Sequence, residues 1–343
     1  RDFMKLCAAV TAAMGLPSVF EPEVAKAVES AIAKPAVIWL EGQDCAGCSE
    51  STIATLNPSA AEVVLDMISL RYHETIMAGT GDVAREAFEQ TVKAGKYVLI
   101  VEGSIPKEND KYCMIGGEPF RKHVEEAAKN AAVILAIGSC AAYGGIPAAT
   151  PSKGVGVSEI VKDKLVINLP SCPVKPSRLI GTIVYYLTFQ KAPELDSFGR
   201  PKAFYGMNIH ENCPRRGHFE NGEFLEDWND SAKAGWCLLL KGCKGPKTYA
   251  DCGQVWWNDN VNYCINAGSP CAGCAQPEFY NGFSPLYQKQ DSFKLPGIGQ
   301  VNPDSVGKAV GGAAAVGVAA HLAGSAISGR LGKEENKAKE GGK

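Results

Sequence analysis

Val133-Ile134-Leu135-Ala136-Ile137-Gly138-Ser139-Cys140 decides the fold. Five apolar residues run without interruption into a glycine, a serine and a cysteine. A short continuous apolar run is the signature of a strand covered on both faces. Three further runs have the same form. Val37 to Leu40 ends in Glu41-Gly42, Tyr97 to Val101 in Glu102-Gly103, and Leu165 to Leu169 in Pro170. Helical stretches lie between them, Gly117 to Asn130 for example. Alternating strands and helices of this kind predict a parallel sheet with crossover helices, and ligand sites in such folds lie beyond the carboxyl ends of the strands. The cysteines follow that rule: Cys45 and Cys48 come after the first run, Cys140 after the third, Cys172 after the fourth.

The remainder of the chain reads differently. Residues 192–201 read as a linker. Residues 203–290 are rich in Cys, Gly, Trp, Asn and Pro with little apolar periodicity, so a bound inorganic group is expected to order them. The 343 residues suffice for two domains with ordinary cores. A net charge of -2 supplies no basic field for nucleic acid. The 13 cysteines are an odd number, which excludes a fully paired disulfide set.

Twelve side chains, eleven Cys and one His, divide into three sets of four and leave only Cys7 and Cys113 over. The first set is Cys45, Cys48, Cys140 and Cys172. It can hold an iron–sulfur cubane, although zinc or, for Cys45 and Cys48 alone, a thioredoxin-like redox pair would use the same residue types. The second is His210, Cys213, Cys237 and Cys243, suited to zinc or an iron–sulfur cluster. The third is Cys252, Cys264, Cys271 and Cys274. Gly79-Thr80-Gly81-Asp82 lacks the lysine of a P-loop, which argues against nucleotide binding.

The ends carry signals of their own. Arg1 to Leu16 resembles the second half of a twin-arginine export signal, with an A-x-A site at residues 31–33; an amphipathic helix is the alternative. Residues 309–329 contain no Asp, Glu, Lys or Arg and have the length of a membrane helix, followed by a Lys-rich tail. The organisation expected is therefore a signal region over 1–33, a domain over 34–190, a second over 191–300, a membrane anchor over 306–330 and a charged tail over 331–343. A flexible Ala/Gly-rich tail is the competing reading of the last part.

The ordered series Glu41-Gly42-Gln43-Asp44-Cys45-Ala46-Gly47-Cys48-Ser49-Glu50-Ser51, Gly138-Ser139-Cys140-Ala141-Ala142-Tyr143-Gly144-Gly145, Ser171-Cys172-Pro173, Ile209-His210-Glu211-Asn212-Cys213, Gly242-Cys243-Lys244-Gly245-Pro246 and Pro270-Cys271-Ala272-Gly273-Cys274 resembles the small, electron-transferring subunit of membrane-bound, exported nickel–iron uptake hydrogenases. The resemblance implies an α/β, flavodoxin-like, doubly wound parallel-sheet domain, then an irregular cluster-binding domain and a C-terminal membrane helix. It implies three iron–sulfur clusters. The first set would hold a proximal 4Fe-4S cluster, the third a medial cluster and the second a distal 4Fe-4S cluster.

The catalytic nickel–iron centre would sit in a separate large subunit, leaving no catalytic residue in this chain. Oxidation of dihydrogen to two protons and two electrons would feed a membrane cytochrome b, a quinone-linked membrane subunit or a ferredoxin-like subunit, at the periplasmic face of the cytoplasmic membrane. Two departures from the common family pattern matter. Cys264 stands where most relatives have proline, which would make it a fourth medial ligand and the medial cluster 4Fe-4S; a small buried packing role for Cys264, with a 3Fe-4S medial cluster, is the alternative. Gly47 and Gly145 stand where oxygen-tolerant members carry extra cysteines. An iron–sulfur subunit of a related quinone-linked oxidoreductase, which would not need residues 209–274, and a zinc-stabilised structural protein are the alternatives.

Overall fold

A computed structural model describes residues 34–288 except 57, positions 11, 17, 21 and 22, and residues 293–295, 299–301 and 303–328. Apart from those four positions, the expected signal region, with Cys7, lies outside the described residues. Two compact units are present, Arg1–Gln288 and Lys289–Lys343.

The first unit is built on five parallel strands: β1 (Ala36–Glu41), β2 (Ser69–His73), β3 (Val98–Glu102), β4 (Val133–Ile137) and β5 (Val166–Leu169). Their order is β2-β1-β3-β4-β5, the flavodoxin-like arrangement. All five residues of β3 and of β4 are buried, as their unbroken apolar runs require. Successive side chains serve opposite faces. Ile38, Leu40, Leu99 and Val101 meet Phe88 and Val92 of α2 (Asp82–Ala94), and Phe120 and Val124 of α3 (Phe120–Asn130). Val37, Trp39, Ile100, Leu135 and Leu169 meet Leu179, Ile180 and Ile183 of α5 (Pro176–Phe189). Each such aliphatic side chain contributes about 1.5–3 kcal/mol on burial, so both layers are held mainly by apolar contact.

Three features differ from the sequence reading. Strand β2 was not legible: it forms one edge of the sheet, its centre Arg71 is exposed, and only His73 is fully buried. The start of α3 moves to Phe120, because Met114–Ile115 and Glu118–Pro119 pair as a small antiparallel hairpin. Residues 192–201 are an ordered loop docked on β5. The Asn168 amide donates to the Gly199 carbonyl at 2.8 Å, and Arg200 pairs with Asp196 at 2.7 Å while donating to the Ala275 carbonyl.

Residues 205–287 are turns and short helices. They are not without an apolar core: Tyr205, Ile209, Leu225, Leu238, Tyr263 and Ile265 continue the cluster on the α5 face of the sheet.

In the second unit Phe293–Leu295 and Gly299–Val301 pair antiparallel, and Pro303–Ile327 is a helix. The expected membrane anchor over 306–330 finds no support here. Among the described residues, no helix is long and apolar enough to cross a membrane. The helix has the length, but it is composed chiefly of Ala and Gly. Those residues contribute little transfer free energy where a span needs Leu, Ile or Phe.

Candidate cluster-binding centres

The first set is assembled by the carboxyl ends of three strands. After β1 the chain crosses to β3, the Gly42 amide donating to the Glu102 carbonyl at 2.9 Å. Asp44 accepts from the Ala46 amide at 2.9 Å, and Ala46 takes a left-handed conformation (φ 56°). This turn starts α1 (Gly47–Ile53), with buried Cys48 in its first turn and exposed Cys45 just before it. Cys140 lies in α4 (Gly138–Tyr143), directly after β4. Cys172 follows β5. Each of the four sulfurs is within electrostatic reach of others in the set: Cys48 feels Cys140 and Cys172, Cys140 feels Cys172 and Cys45, and Cys172 feels Cys45.

The backbone approaches these sulfurs closely at two glycines. A Cβ on Gly138 (φ +76°) would stand 2.5 Å from the Cys48 sulfur, and one on Gly145 (φ +54°) 2.9 Å from the Cys140 sulfur. The Val174 amide donates to the Cys48 Sγ at 3.3 Å. Burial pushes the Cys48 thiol well up and the Cys140 thiol to about 12. The thiolates therefore need a bound cation to persist.

The second set lines one pocket, with His210, Cys213, Cys237 and Cys243 joined by Leu238 and Ile265. The Arg215 and Gly245 amides donate to the Sγ atoms of Cys213 and Cys243, each at 3.4 Å. His210 stands edge-on to Phe219 at 4.5 Å, and burial, aided by Arg216, lowers its pKa. It is thereby kept in the neutral form that ligates metals.

The third set comprises buried Cys252 and Cys271, Cys274, and exposed Cys264. Cys264 feels Cys252, Cys274 feels both, and Cys271 feels Cys274. The Gly273 amide donates to the Cys271 Sγ at 3.4 Å. This set also reaches both others. Cys274 accepts from the Cys172 amide and feels its thiol, while Cys271 feels Cys243. Cys113 joins none of the sets, and burial raises its thiol to about 11.

Among the described residues, two groups of three acidic, histidine or cysteine side chains bring their ligand atoms within 4.8 Å of one another: Glu41–His73–Glu74 and Glu41–Asp44–Glu102. No cysteine belongs to either. Four thiolates at about 2.3 Å from one zinc ion would stand about 3.8 Å apart, so the cysteine sets are spread more widely than a zinc site requires.

His73, Glu74 and the burial of Glu102 beside Glu41 and Asp44 are the part of the site that sequence reasoning missed. The register pairs Glu41 with Glu102 at the ends of β1 and β3. Glu102 is buried and accepts from the Cys48 amide (2.9 Å), the Ser49 hydroxyl (2.6 Å) and the Trp39 indole (3.1 Å). His73 accepts at Nδ1 from the Thr75 amide, which places its proton on Nε2, 3.1 Å from the Ser49 Oγ. Both strand-end glutamates, Glu41 and Glu102, were visible as acidic punctuation, but only the register shows that they meet. Glu50, by contrast, is exposed.

Burial raises Glu74 to about 8 and Glu102 to about 7, and lowers His73 to about 4. A carboxyl raised on folding holds a proton that the unfolded chain has lost, so stability falls as pH rises through its folded pKa. A lowered histidine acts oppositely, but only below its unfolded value near 6.5. Two raised carboxyls outweigh the one histidine, so thermal stability is expected to decline from about pH 4.5 to about pH 8, most steeply near pH 7. Glu74→Gln should flatten that decline in a melting series across the window. An unchanged slope would remove Glu74 from the account.

The result is an α/β protein with a five-stranded parallel sheet and several cysteine clusters. A family model described as the C-terminal part of the NiFe/NiFeSe hydrogenase small subunit matches residues 205–287. Another, described as NADH ubiquinone oxidoreductase, 20 Kd subunit, matches residues 45–186. The chain is 42% identical over 333 residues to the uptake hydrogenase small subunit of Azotobacter vinelandii, covering 95% of this chain and 92% of that protein. It is 44% identical over 295 residues to the periplasmic NiFe hydrogenase small subunit of Solidesulfovibrio fructosivorans, covering 84% of this chain and 92% of that one. A reduced, active form of the Ni-Fe-Se hydrogenase from Desulfomicrobium baculatum is similar in structure, with a TM-score of 0.71 and 36% identity over 75% of this chain and 100% of its own. The chain belongs to the nickel–iron hydrogenase small subunits. The match over residues 205–287 separates it from the quinone-linked alternative, which shares only the sheet domain.

Proposed function

We propose that this chain relays electrons out of a nickel–iron hydrogenase through three iron–sulfur clusters. Cys45, Cys48, Cys140 and Cys172 hold the proximal 4Fe-4S cluster, and Cys252, Cys264, Cys271 and Cys274 a medial one. His210, Cys213, Cys237 and Cys243 hold the distal 4Fe-4S cluster. When bound, such clusters exchange single electrons at potentials tuned by hydrogen bonds and burial. The observation that carries the reading is the placement of the third set, which reaches Cys172 on one side and Cys243 on the other. Glycines at 138 and 145 and amides directed at sulfur support cluster ligation, since the amides stabilise the charge that a reduced centre gains. The wide spread of the sulfurs favours a polynuclear centre over zinc.

The nickel–iron centre belongs to a large subunit docked over the exposed Cys45 and Cys172. The reaction served is dihydrogen to two protons and two electrons, and electrons leave beside His210 to a cytochrome b, quinone-linked or ferredoxin-like acceptor. The periplasm is the proposed location, as the name of the Solidesulfovibrio relative states for that protein. Purified alone, the chain is expected to show no hydrogen-dependent dye reduction, and activity should appear only with the large subunit. Robust activity of the isolated, nickel-free chain would overturn the proposal.

A further inference from the structure

Among the described residues, Arg178 is the largest side chain with no exposure at all. It lies in the first turn of α5, and its guanidinium joins two of the sulfur sets. On one side Nη1 donates to the Pro170 carbonyl at 3.3 Å and to the Ser171 hydroxyl at 3.2 Å, beside Cys172. On the other, Nη2 donates to the Cys252 Sγ at 3.2 Å, while Nε and Nη2 reach the same Asp251 oxygen at 3.0 and 2.5 Å. The Tyr205 ring covers the guanidinium at 5.0 Å, and its hydroxyl also donates to the Pro170 carbonyl. Lys175, also buried, reaches Asp251 at 3.3 Å.

With both cations charged, this buried group is one negative charge short. Lys175 and Arg178 carry two positive charges and Asp251 one negative charge. Unpaired buried charge is costly, so the fourth member, Cys252, completes the set when it is a thiolate. A metal-bound sulfur is a thiolate.

We propose that Arg178 is a positioning residue of the electron relay, setting the reduction potential of the centre held by Cys252 and tying that centre to the loop of Cys172. The proposal rests on the ligand reading given above. A charged donor at sulfur stabilises the more negative, reduced form, so it raises the potential of that centre above its value without the contact. Asp251 works against it by drawing the guanidinium charge to itself.

The test is a redox titration of the assembled two-subunit enzyme, followed by electron paramagnetic resonance with iron content measured in parallel. Arg178→Gln should lower the potential of the medial centre by about tenfold in its one-electron equilibrium, about 59 mV. The proximal and distal centres and the iron content should be unchanged. Arg178→Lys keeps charge but not the fork, and should fall between. Asp251→Asn should move the medial centre the opposite way, and it decides the matter if Arg178→Gln loses iron. An unmoved medial centre, or three centres shifting together, overturns the proposal. A medial signal unchanged in Cys252→Ala, which cannot ligate, overturns the ligand reading itself, a failure distinct from that of Arg178.

Discussion

Gly138→Ala should abolish hydrogen-dependent dye reduction by the assembled enzyme while leaving the second and third cysteine sets loaded. The site allows neither the conformation nor the volume. Gly138 has a φ of +76°, which side chains rarely adopt. Its new methyl group would stand 2.5 Å from the Cys48 sulfur, inside any non-bonded contact. The sulfur can retreat only by giving up the Val174 amide and its buried place at the start of α1. The displaced thing is therefore the ligand itself. Iron analysis should show the loss of about four iron atoms, one cubane, from the chain. Unaltered iron and turnover would show that Cys48 is not where the first centre is held.

Cys264→Pro is expected to convert the medial centre into a three-iron cluster. A cubane takes four protein ligands and a three-iron cluster three, and proline cannot ligate. The structure places Cys264 exposed beside Cys252 and Cys274, which does not suit a buried apolar packing role. The oxidised, unmutated protein should lack a stoichiometric three-iron resonance, and the variant should gain one. Such a signal already present before mutation would contradict the assignment.

Much of this was legible because burial on both faces leaves a simple mark. The strands β1, β3 and β4 carry unbroken apolar runs, β5 is apolar but for Asn168, and the cysteines follow three of the four. Strand β2 left no such mark, since an edge strand needs only one covered face and Arg71 points to water. Arg178 was invisible for a different reason. In sequence it is a charged residue in the first turn of a helix, ordinarily a solvated position. Its burial depends on Asp251, 73 residues further on, and on a tertiary contact that no periodicity reports. Glu102 was seen as the end of a strand, but its three donors come from β1 and α1. The membrane reading of the C-terminal helix rested on length and absence of charge, which Ala and Gly satisfy without strong apolarity, and among the described residues it finds no support.

The central claim is a relay of three clusters without a hydrogen-activating centre of its own. It is tested most directly by metal analysis of the two-subunit enzyme before and after the subunits are separated. The account predicts about twelve iron atoms on this chain, three cubanes, with nickel following the large subunit. Zinc in place of iron, iron well below three clusters, or nickel retained on the isolated chain would contradict it.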